Sequence, residues 1–298
     1  MAGANMKAIK TRIKSVESTR QITKAMELVA SSKLRRAKQQ EEAVKPYYRM
    51  MLDTIRDLVR AGCERHPLIN ANPEASSACY IVIAGDRGLA GGYNNNLFRL
   101  VRDRISVGDC VIPIGKKSVD YYTKQDYEIL TKDFALSADV GIAEAHEIGE
   151  IVCHAFVQGK IGRVVVAYTE FASMLSQIPK TMELLPLEKD MLRAEKLQEK
   201  THIGEEETAK PKLSPDTIYE PGPEAVLNAV IPQYISGMIY GAVCEAAASE
   251  FAARRTAMNA ANKNADEMIS GLTLKYNRAR QAMITQEITE IIAGSEAL

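Results

Sequence analysis

The densest chemical signal in this sequence is a glycine-rich stretch, GDRGLAGGYN, at residues 85–94. It follows an apolar run and precedes a segment of helical character, where backbone N–H groups can hold a phosphate at the start of a helix. The stretch matches neither GxxxxGKS/T nor GxGxxG, the common phosphate-binding patterns. The sequence therefore favours a tight strand-to-helix connection, or a partner contact through Asp86 and Arg87, over nucleotide binding.

Residues that bind metals or act as nucleophiles are scattered along the chain. No GxSxG pattern is present, and the five cysteines are odd in number with no CxxC pair. That usage favours reduced, mostly packed thiols in a cytoplasmic compartment. None of the histidines has a metal-ligand spacing to another ligand type: His66, His146, His154 and His202. We predict no catalytic residue, no metal site and no cofactor.

The charge of the chain is balanced overall but unevenly placed. Lys plus Arg equals Asp plus Glu, whereas residues 1–40 carry ten basic and two acidic residues. A basic arm can bind nucleic acid, but this one has no interleaved aromatic residues and its charges surround the helix. An acidic surface on a protein partner fits it better, so we expect no nucleic-acid partner.

No apolar run approaches the 18 residues that a membrane-spanning helix needs. The N-terminus has no apolar stretch of the kind found in secretory signals. It leads directly into a regular helical pattern, so we expect it to be mature sequence. These features predict that the chain does not insert into a membrane.

The two ends of the chain read as long helices with narrow apolar stripes. Met6 to Val59 repeats apolar residues at spacings of three and four, with Pro46 as a possible kink. From Gly222 to Leu298 a second helix begins near Pro223 and would be roughly 110 Å long. Pairing with each other covers both stripes, which predicts an antiparallel two-helix coiled coil. The final helix is the longer of the two, so its end stands alone or inserts into a partner.

The middle of the chain alternates apolar, β-branched runs with helical segments. Strands are expected at 79–85, 110–115 and 163–171, an edge strand at 178–187, and helices at 94–105, 117–125 and 142–157. This alternation predicts a mostly parallel sheet covered on both sides. The fold class is α/β: a Rossmann-like central domain plus the coiled coil. The predicted divisions are an N-terminal helix at 1–62, the α/β domain at 76–187, a charged connector at 188–216, solvated and mobile, and the C-terminal helix at 217–298.

Several motifs resemble the gamma subunit of F-type ATP synthases, in family order and from end to end. The C-terminal RQAMITQEITEIIAGSEAL (280–298) is the most specific, with Ser295 where the family usually has alanine. ITKAMELVASSKLRRA (22–37), GDRGLAGGYN and SEFAARRTAMNAA (249–261) are similar to its first helix, its glycine-rich segment and its shaft. The connector has no paired cysteines, so the resemblance implies no thiol switch.

The resemblance implies the central rotor shaft of an ATP synthase, a subunit that carries torque and has no active site of its own. Its partners would be the alternating alpha and beta nucleotide-binding subunits of the catalytic head, the epsilon subunit and the membrane rotor ring. Ion transport, either hydrogen ion transport or sodium ion transport, would turn the ring, and the choice of ion lies in another subunit. The chain would lie peripherally on the cytoplasmic face of a bacterial cell membrane.

The resemblance also implies two sets of contact residues. Tyr219 and Glu220 would lie in the foot that meets the membrane ring, and Gly294 near an apolar collar at the top of the head. The catalytic ring would be met by Lys24, Met26, Arg254, Arg280, Gln281, Thr285 and Glu287. Met26 also fits simple packing of the coil, and Thr285 and Glu287 also fit helix stability. The alternative function is that of a nucleotide-binding α/β protein with coiled-coil arms.

Overall fold

The computed structural model describes residues 2–60, 62–63, 66–70, 75–187 and 219–296. Within these ranges the chain forms five α-helices and five strands. The helices are α1 Ala2–Arg60, α2 Tyr93–Arg102, α3 Lys116–Lys124, α4 Ile142–Val157 and α5 Pro223–Glu296. The strands are β1 Ala78–Ile83, β2 Cys110–Ile114, β3 Glu128–Ile129, β4 Arg163–Phe171 and β5 Gln177–Leu185.

Both long helices that the sequence predicts are present. α1 contains Pro46 and α5 contains Pro232, and each helix is one continuous element. Pro223 is the first residue of α5, the position at which a missing backbone N–H removes no helical hydrogen bond. The predicted connector, 188–216, lies outside the described residues.

The sheet is mostly parallel, as predicted, with strand order β3-β2-β1-β4-β5. β1 pairs in parallel with both β2 and β4, and β5 alone among the described strands pairs antiparallel, with β4. Pro179 lies in β5 at the edge of the sheet, where a residue without an N–H group disrupts no second ladder. The two-residue strand β3 was not predicted.

Alternate residues of the central strands enter two separate cores. Cys79, Ile81 and Ile83 of β1 face a core that also contains residues of α4 and the first part of α5, while Ala78, Tyr80 and Val82 face a core formed with α2 and α3. Burial on both faces explains why β1 reads as an unbroken apolar run. All five cysteines are free thiols, and all except Cys63 are buried, as predicted.

One helix departs from the expectation that no segment is apolar enough to cross a membrane. Within α5, an 18-residue window of Pro223–Ala293 reaches a mean hydropathy of 1.3, and 44% of it is buried inside the chain. Leu227, Ile231 and Ile235 of this helix are fully buried in the sheet core. Packing in the sheet core therefore accounts for part of the apolar composition of this helix.

The chain forms two compact units. The helix-pair unit contains Met1–Lys33, Leu89–Gly91 and Phe251–Leu298, and the sheet unit contains Leu34–Gly88 and Gly92–Glu250. The division of α1 and α5 between units differs from the predicted domain bounds, which remain a prediction.

Candidate partner-contact surface

In the helix-pair unit, α1 and α5 lie side by side and run antiparallel. Arg20 pairs with Asp266, and Glu27 further along α1 meets Asn259, which is earlier in α5. The buried and half-buried positions of α5 recur every three or four residues, the spacing of a coiled-coil seam: 258, 261, 262, 265, 269, 272, 276, 279 and 283. The predicted antiparallel pairing is confirmed in this unit.

Small side chains occupy much of this seam. Ala30 of α1 and Ala252 and Ala265 of α5 are buried, where coiled coils commonly place leucine or isoleucine. An alanine Cβ makes few dispersion contacts. The apolar seam therefore contributes less per residue than the leucine- and isoleucine-rich sheet cores.

The two predicted contacts on α1 differ in exposure. Lys24 is exposed and its Nζ lies 3.1 Å from Glu27 Oε2, whereas Met26 is half-buried. Three large apolar side chains nearby are more than half exposed: Ile22, Leu28 and Val29. This part of α1 therefore presents both charge and apolar area to solvent.

Arg254 is only 8% exposed, unlike the other charged residues predicted to contact the ring. Its guanidinium carbon lies 5.8 Å from the centre of the Phe251 ring, and Lys33 Nζ lies 5.5 Å from the same ring. Cations at these distances are attracted by the aromatic face. In the isolated chain, Arg254 is therefore part of the helix pair.

Near the end of α5 the described side chains are exposed. Arg280, Gln281, Thr285 and Glu287 all lie in solvent, with Thr285 Oγ1 donating to the Gln281 carbonyl at 2.9 Å. Large apolar residues are 47–72% exposed in the same turns: Ile284, Ile288, Ile291 and Ile292. Gly294 lies within the helix, and the surroundings of 294–298 lie outside the described residues. This segment therefore exposes apolar and polar side chains together.

The predicted foot residues lie in the sheet unit, just before α5. Tyr219 is half-buried and Glu220 is exposed. Burial raises the pKa of the Tyr219 hydroxyl, and the nearby Asp57 carboxylate near the end of α1 raises it further. Tyr219 packs against the core of the sheet unit, while Glu220 is exposed to solvent.

The glycine-rich stretch is built around a carboxylate. Asp86 accepts hydrogen bonds from the backbone N–H groups of Lys116, Ser137 and Ala138 at 2.9–3.2 Å, and from the Ser137 hydroxyl at 3.0 Å. A second carboxylate lies beside Gly85, where an added Cβ would come within 2.7 Å of the Glu250 carboxyl carbon. Two carboxylates beside this stretch repel an added phosphate, which disfavours the nucleotide-binding alternative.

A serine, a histidine and a glutamate lie together between α4 and α5. His146 Nδ1 is 3.2 Å from Ser236 Oγ, and His146 Nε2 is 3.4 Å from Glu150. Ser236 also donates to the Pro232 carbonyl at 2.7 Å, and a Cβ on Gly149 would lie 2.5 Å from its Oγ. The hydroxyl is therefore enclosed between two helices with no room for a substrate carbonyl, so this cluster packs α4 onto α5.

The described residues contain no group of three or more His, Cys, Asp or Glu side chains able to hold a metal ion. Cys79 and Cys110 are directly opposite each other on β1 and β2. Both are buried in the sheet.

The exposed residues among those predicted to contact partners lie on the helix pair, at the end of α5 and in the segment around Tyr219.

Comparisons with known proteins agree with this picture. A family model described as ATP synthase matches residues 5–298. The ATP synthase gamma chain of Lachnoclostridium phytofermentans is 44% identical, with 99% of each chain covered. A relative from Acetobacterium woodii, named ATP synthase gamma chain, sodium ion specific, is 42% identical with the same coverage. The chain belongs to the ATP synthase gamma chain family.

Solved structures share the fold of this gamma chain. A chain of the Euglena gracilis mitochondrial ATP synthase has a TM-score of 0.63 at 19% identity, covering 99% of this chain and 95% of that one. A chain of the Tetrahymena thermophila mitochondrial enzyme, from its central stalk and ring, has a TM-score of 0.54 at 21% identity, covering 80% and 99%. Two long helices and a mixed sheet are therefore shared at low sequence identity.

Membership of the gamma chain family confirms the predicted function. The chain is the central rotor shaft of an ATP synthase, a non-catalytic subunit of that complex. The synthesis and hydrolysis of ATP therefore belong to the assembly rather than to any cluster of side chains within this chain.

Sequence reasoning missed two residues of the gamma chain. Glu27 lies in the seam, only 8% exposed, and its place in the spacing 23, 27, 30, 34 could have indicated this. Leu89 has a φ of 62° and is 65% exposed. A leucine inside a glycine-rich loop was the available signal, because a left-handed backbone is uncommon for such a residue.

Proposed function

We propose that the end of α5 is the part of the rotor that meets the catalytic ring of alpha and beta subunits. The observation that carries this is the exposure of Ile284, Ile288, Ile291 and Ile292, between 47% and 72%. Residues 284, 288 and 291 lie on one helix face because their spacings are four and three. Contiguous exposed apolar area of this kind marks a surface that a partner covers.

The polar residues of the same turns suit a contact that changes as the rotor turns. Gln281, Thr285 and Glu287 are exposed, and exposed ion pairs contribute only about 0–1 kcal/mol. Such contacts form and break readily at each angle. Arg280 belongs to the same proposed set.

On α1, Lys24 and Met26 form the second proposed contact with the ring. The Lys24 side chain is 60% exposed, so its ammonium can bind an acidic partner group while remaining near Glu27. Met26 is half-buried and offers only part of its side chain. Arg254 is buried in the isolated chain, where its guanidinium lies near Phe251. Its proposed contact with the ring therefore requires the guanidinium to turn away from Phe251.

The segment of Tyr219 and Glu220 is the proposed contact with the membrane rotor ring. A half-buried tyrosine beside α1 gives the segment a fixed anchor, and the exposed carboxylate of Glu220 is available to a partner. The epsilon subunit is the remaining proposed partner. This arrangement would hold the chain peripherally on the cytoplasmic face of a bacterial cell membrane.

The coupling ion in this proposal is a property of the membrane ring. Hydrogen ions and sodium ions both fit this role, and the name of the Acetobacterium woodii relative specifies sodium ions. The gamma chain transmits rotation in either case. Each rotor angle stabilises a different set of ring conformations, and this difference in contact free energy is the coupling.

The proposed ring contacts are tested by assembling the complex with Glu287→Ala or Gln281→Leu in this chain. We expect the complex to assemble as the parent does, while its ATP turnover and its coupling to ion transport change. Lys275→Ala, an exposed substitution of the same helix outside the motif, is the matched control. Parent turnover and coupling in both motif variants would remove these residues from the contact surface.

A further inference from the structure

The seam of the helix pair contains a carboxylate held from both helices. Glu27 Oε2 accepts from Asn262 Nδ2 of α5 at 2.9 Å and from Lys24 Nζ of its own helix at 3.1 Å, and Oε1 lies 3.5 Å from Asn259 Nδ2. Thr23 Oγ1 lies 2.5 Å from Asn262 Oδ1, which orients the amide so that its nitrogen faces Glu27. The hydrogen bond from Lys24 lowers the pKa of Glu27, against the opposing effect of burial.

The apolar part of this seam next to Glu27 distinguishes weakly between neighbouring registers. Ala30, Ala252, Met258 and Ala265 are buried in it. Alanines pack against one another in nearly the same way after a slide, and a methionine side chain adapts its shape to its surroundings. Large, stiff side chains normally provide this discrimination by fitting knobs into specific holes. Directional contacts in this stretch therefore add to the discrimination between registers.

A slide of one heptad removes the two amide groups of α5 that donate to Glu27. In one direction its carboxylate, now opposite Asn259 and Asn262, would face Asp266 and Ile269, which places two carboxylates together beside an apolar side chain. In the other direction it would face Ala252 and Arg255, exchanging two positioned amides for a methyl group and one exposed guanidinium. The observed register is the one that satisfies Glu27 from two successive turns of α5.

We propose that Glu27, through Asn259 and Asn262, is the positioning residue that fixes the register of α1 against α5. Polar residues at coiled-coil seams specify register in this way, at a cost in stability. The inference concerns the pairing of the two helices, and it holds whichever residues meet the ring.

The test measures register directly in the full chain. Spin labels are placed by Lys7→Cys and Arg255→Cys, both exposed, in a background with the native cysteines replaced. These positions are far apart along the helices, so a slide changes the distance between labels. The parent should give one narrow distance. E27L combined with N262L should give a broadened or second distance, displaced by up to about 10 Å for one heptad, without a lower thermal midpoint.

Two control variants separate register from general loss of structure. E27Q retains an acceptor for the amides and should keep the single distance, and Lys263→Leu, an exposed change outside the seam, should do the same. If E27L/N262L does not fold, Asn262→Ala removes the principal donor and should produce the second distance. One narrow, parent-like distance in the folded double variant, or in Asn262→Ala, overturns the proposal. So does broadening in Lys263→Leu.

Discussion

Two stretches of α5 differ in the kind of side chain that they bury and in the contacts that these side chains make. Along 223–250, α5 buries Leu227, Ile231, Ile235 and Ile239 in the core of the sheet unit. From Phe251 onward its buried residues are Ala252, Arg254, Met258 and Ala265, and hydrogen bonds join it to α1. The first stretch is stabilised by burial of large apolar side chains, and the second has smaller apolar side chains and directional polar contacts.

The difference in free energy between the two stretches is large. A fully buried isoleucine or leucine contributes about 1.5–3 kcal/mol. An exposed pair such as Arg20 and Asp266, whose side chains are 44% and 59% exposed, is screened by solvent and contributes far less. The sheet unit thus anchors α5, while the helix pair keeps its outer surface available to partners.

The largest expected effect comes from truncating a buried isoleucine. Ile235→Ala should lower the free energy of unfolding by about 2–5 kcal/mol, because a cavity remains in the sheet core. Ile288→Ala, 52% exposed, should change it by less than about 0.5 kcal/mol. Urea titration of the isolated chain measures both. Equal losses would mean that the end of α5 is packed without partners, against the comparison.

Two glycines should respond with opposite signs. Gly115 has a φ of 89°, and an added Cβ would lie 2.1 Å from the Ala84 carbonyl oxygen, so Gly115→Ala should destabilise the chain by more than about 1 kcal/mol. Gly271 lies in α5 with nothing within 4 Å of an added Cβ. Gly271→Ala should stabilise it by about 0.5–1 kcal/mol. A shift of the same sign in both unfolding midpoints would contradict this contrast.

The smallest expected effects concern two glutamates whose pKa values move in opposite directions. Burial raises the pKa of Glu245, near Glu41 and Glu170, above 4.5. The contribution of Glu245 to the stability of the fold is therefore full below pH 4.5 and is lost as the pH rises through the pKa of the folded state. The hydrogen bond from Lys24 lowers the pKa of Glu27 below 4.5, so its contribution is present above that pH and is lost as pH falls through the folded pKa.

Substitution by glutamine separates the two pH effects. As the pH falls from 7 to 4, the protonation of Glu245 should stabilise the parent chain, and Glu245→Gln should remove this gain. The protonation of Glu27 should destabilise the parent chain, and Glu27→Gln should remove this loss. Thermal midpoints across this range, each compared with the parent, provide the measurement. Identical pH profiles for the two variants would show that both carboxyl groups have similar surroundings.

Most of the fold could be predicted from the sequence, because each central strand is a short apolar run and both long helices have a regular spacing. The strand Glu128–Ile129 was missed since two residues carry no period. The role of Asp86 was equally inaccessible. Its carboxylate joins Lys116 and Ser137, which are distant in the sequence and meet only after the sheet has formed.

The residues of the candidate site were predicted from motifs, and the structure shows which of them are exposed to solvent. The motif placed Arg254 and Glu287 in one set, yet Arg254 is buried and Glu287 is exposed. Burial at 254 depends on how α1 lies against α5, which local sequence does not state. The spacing 23, 27, 30, 34 could have placed Glu27 in the seam, but its amide partners Asn259 and Asn262 lie on the other helix.

The rotor assignment is tested most directly by assembling the catalytic ring and the membrane ring with and without this chain. The account predicts that the complex containing the chain shows ATP hydrolysis coupled to ion transport, with rotation of the chain relative to the catalytic ring. Omitting the chain should abolish the coupling and change the hydrolysis rate. An unchanged rate of ATP hydrolysis and unchanged ion transport without the chain would contradict the account.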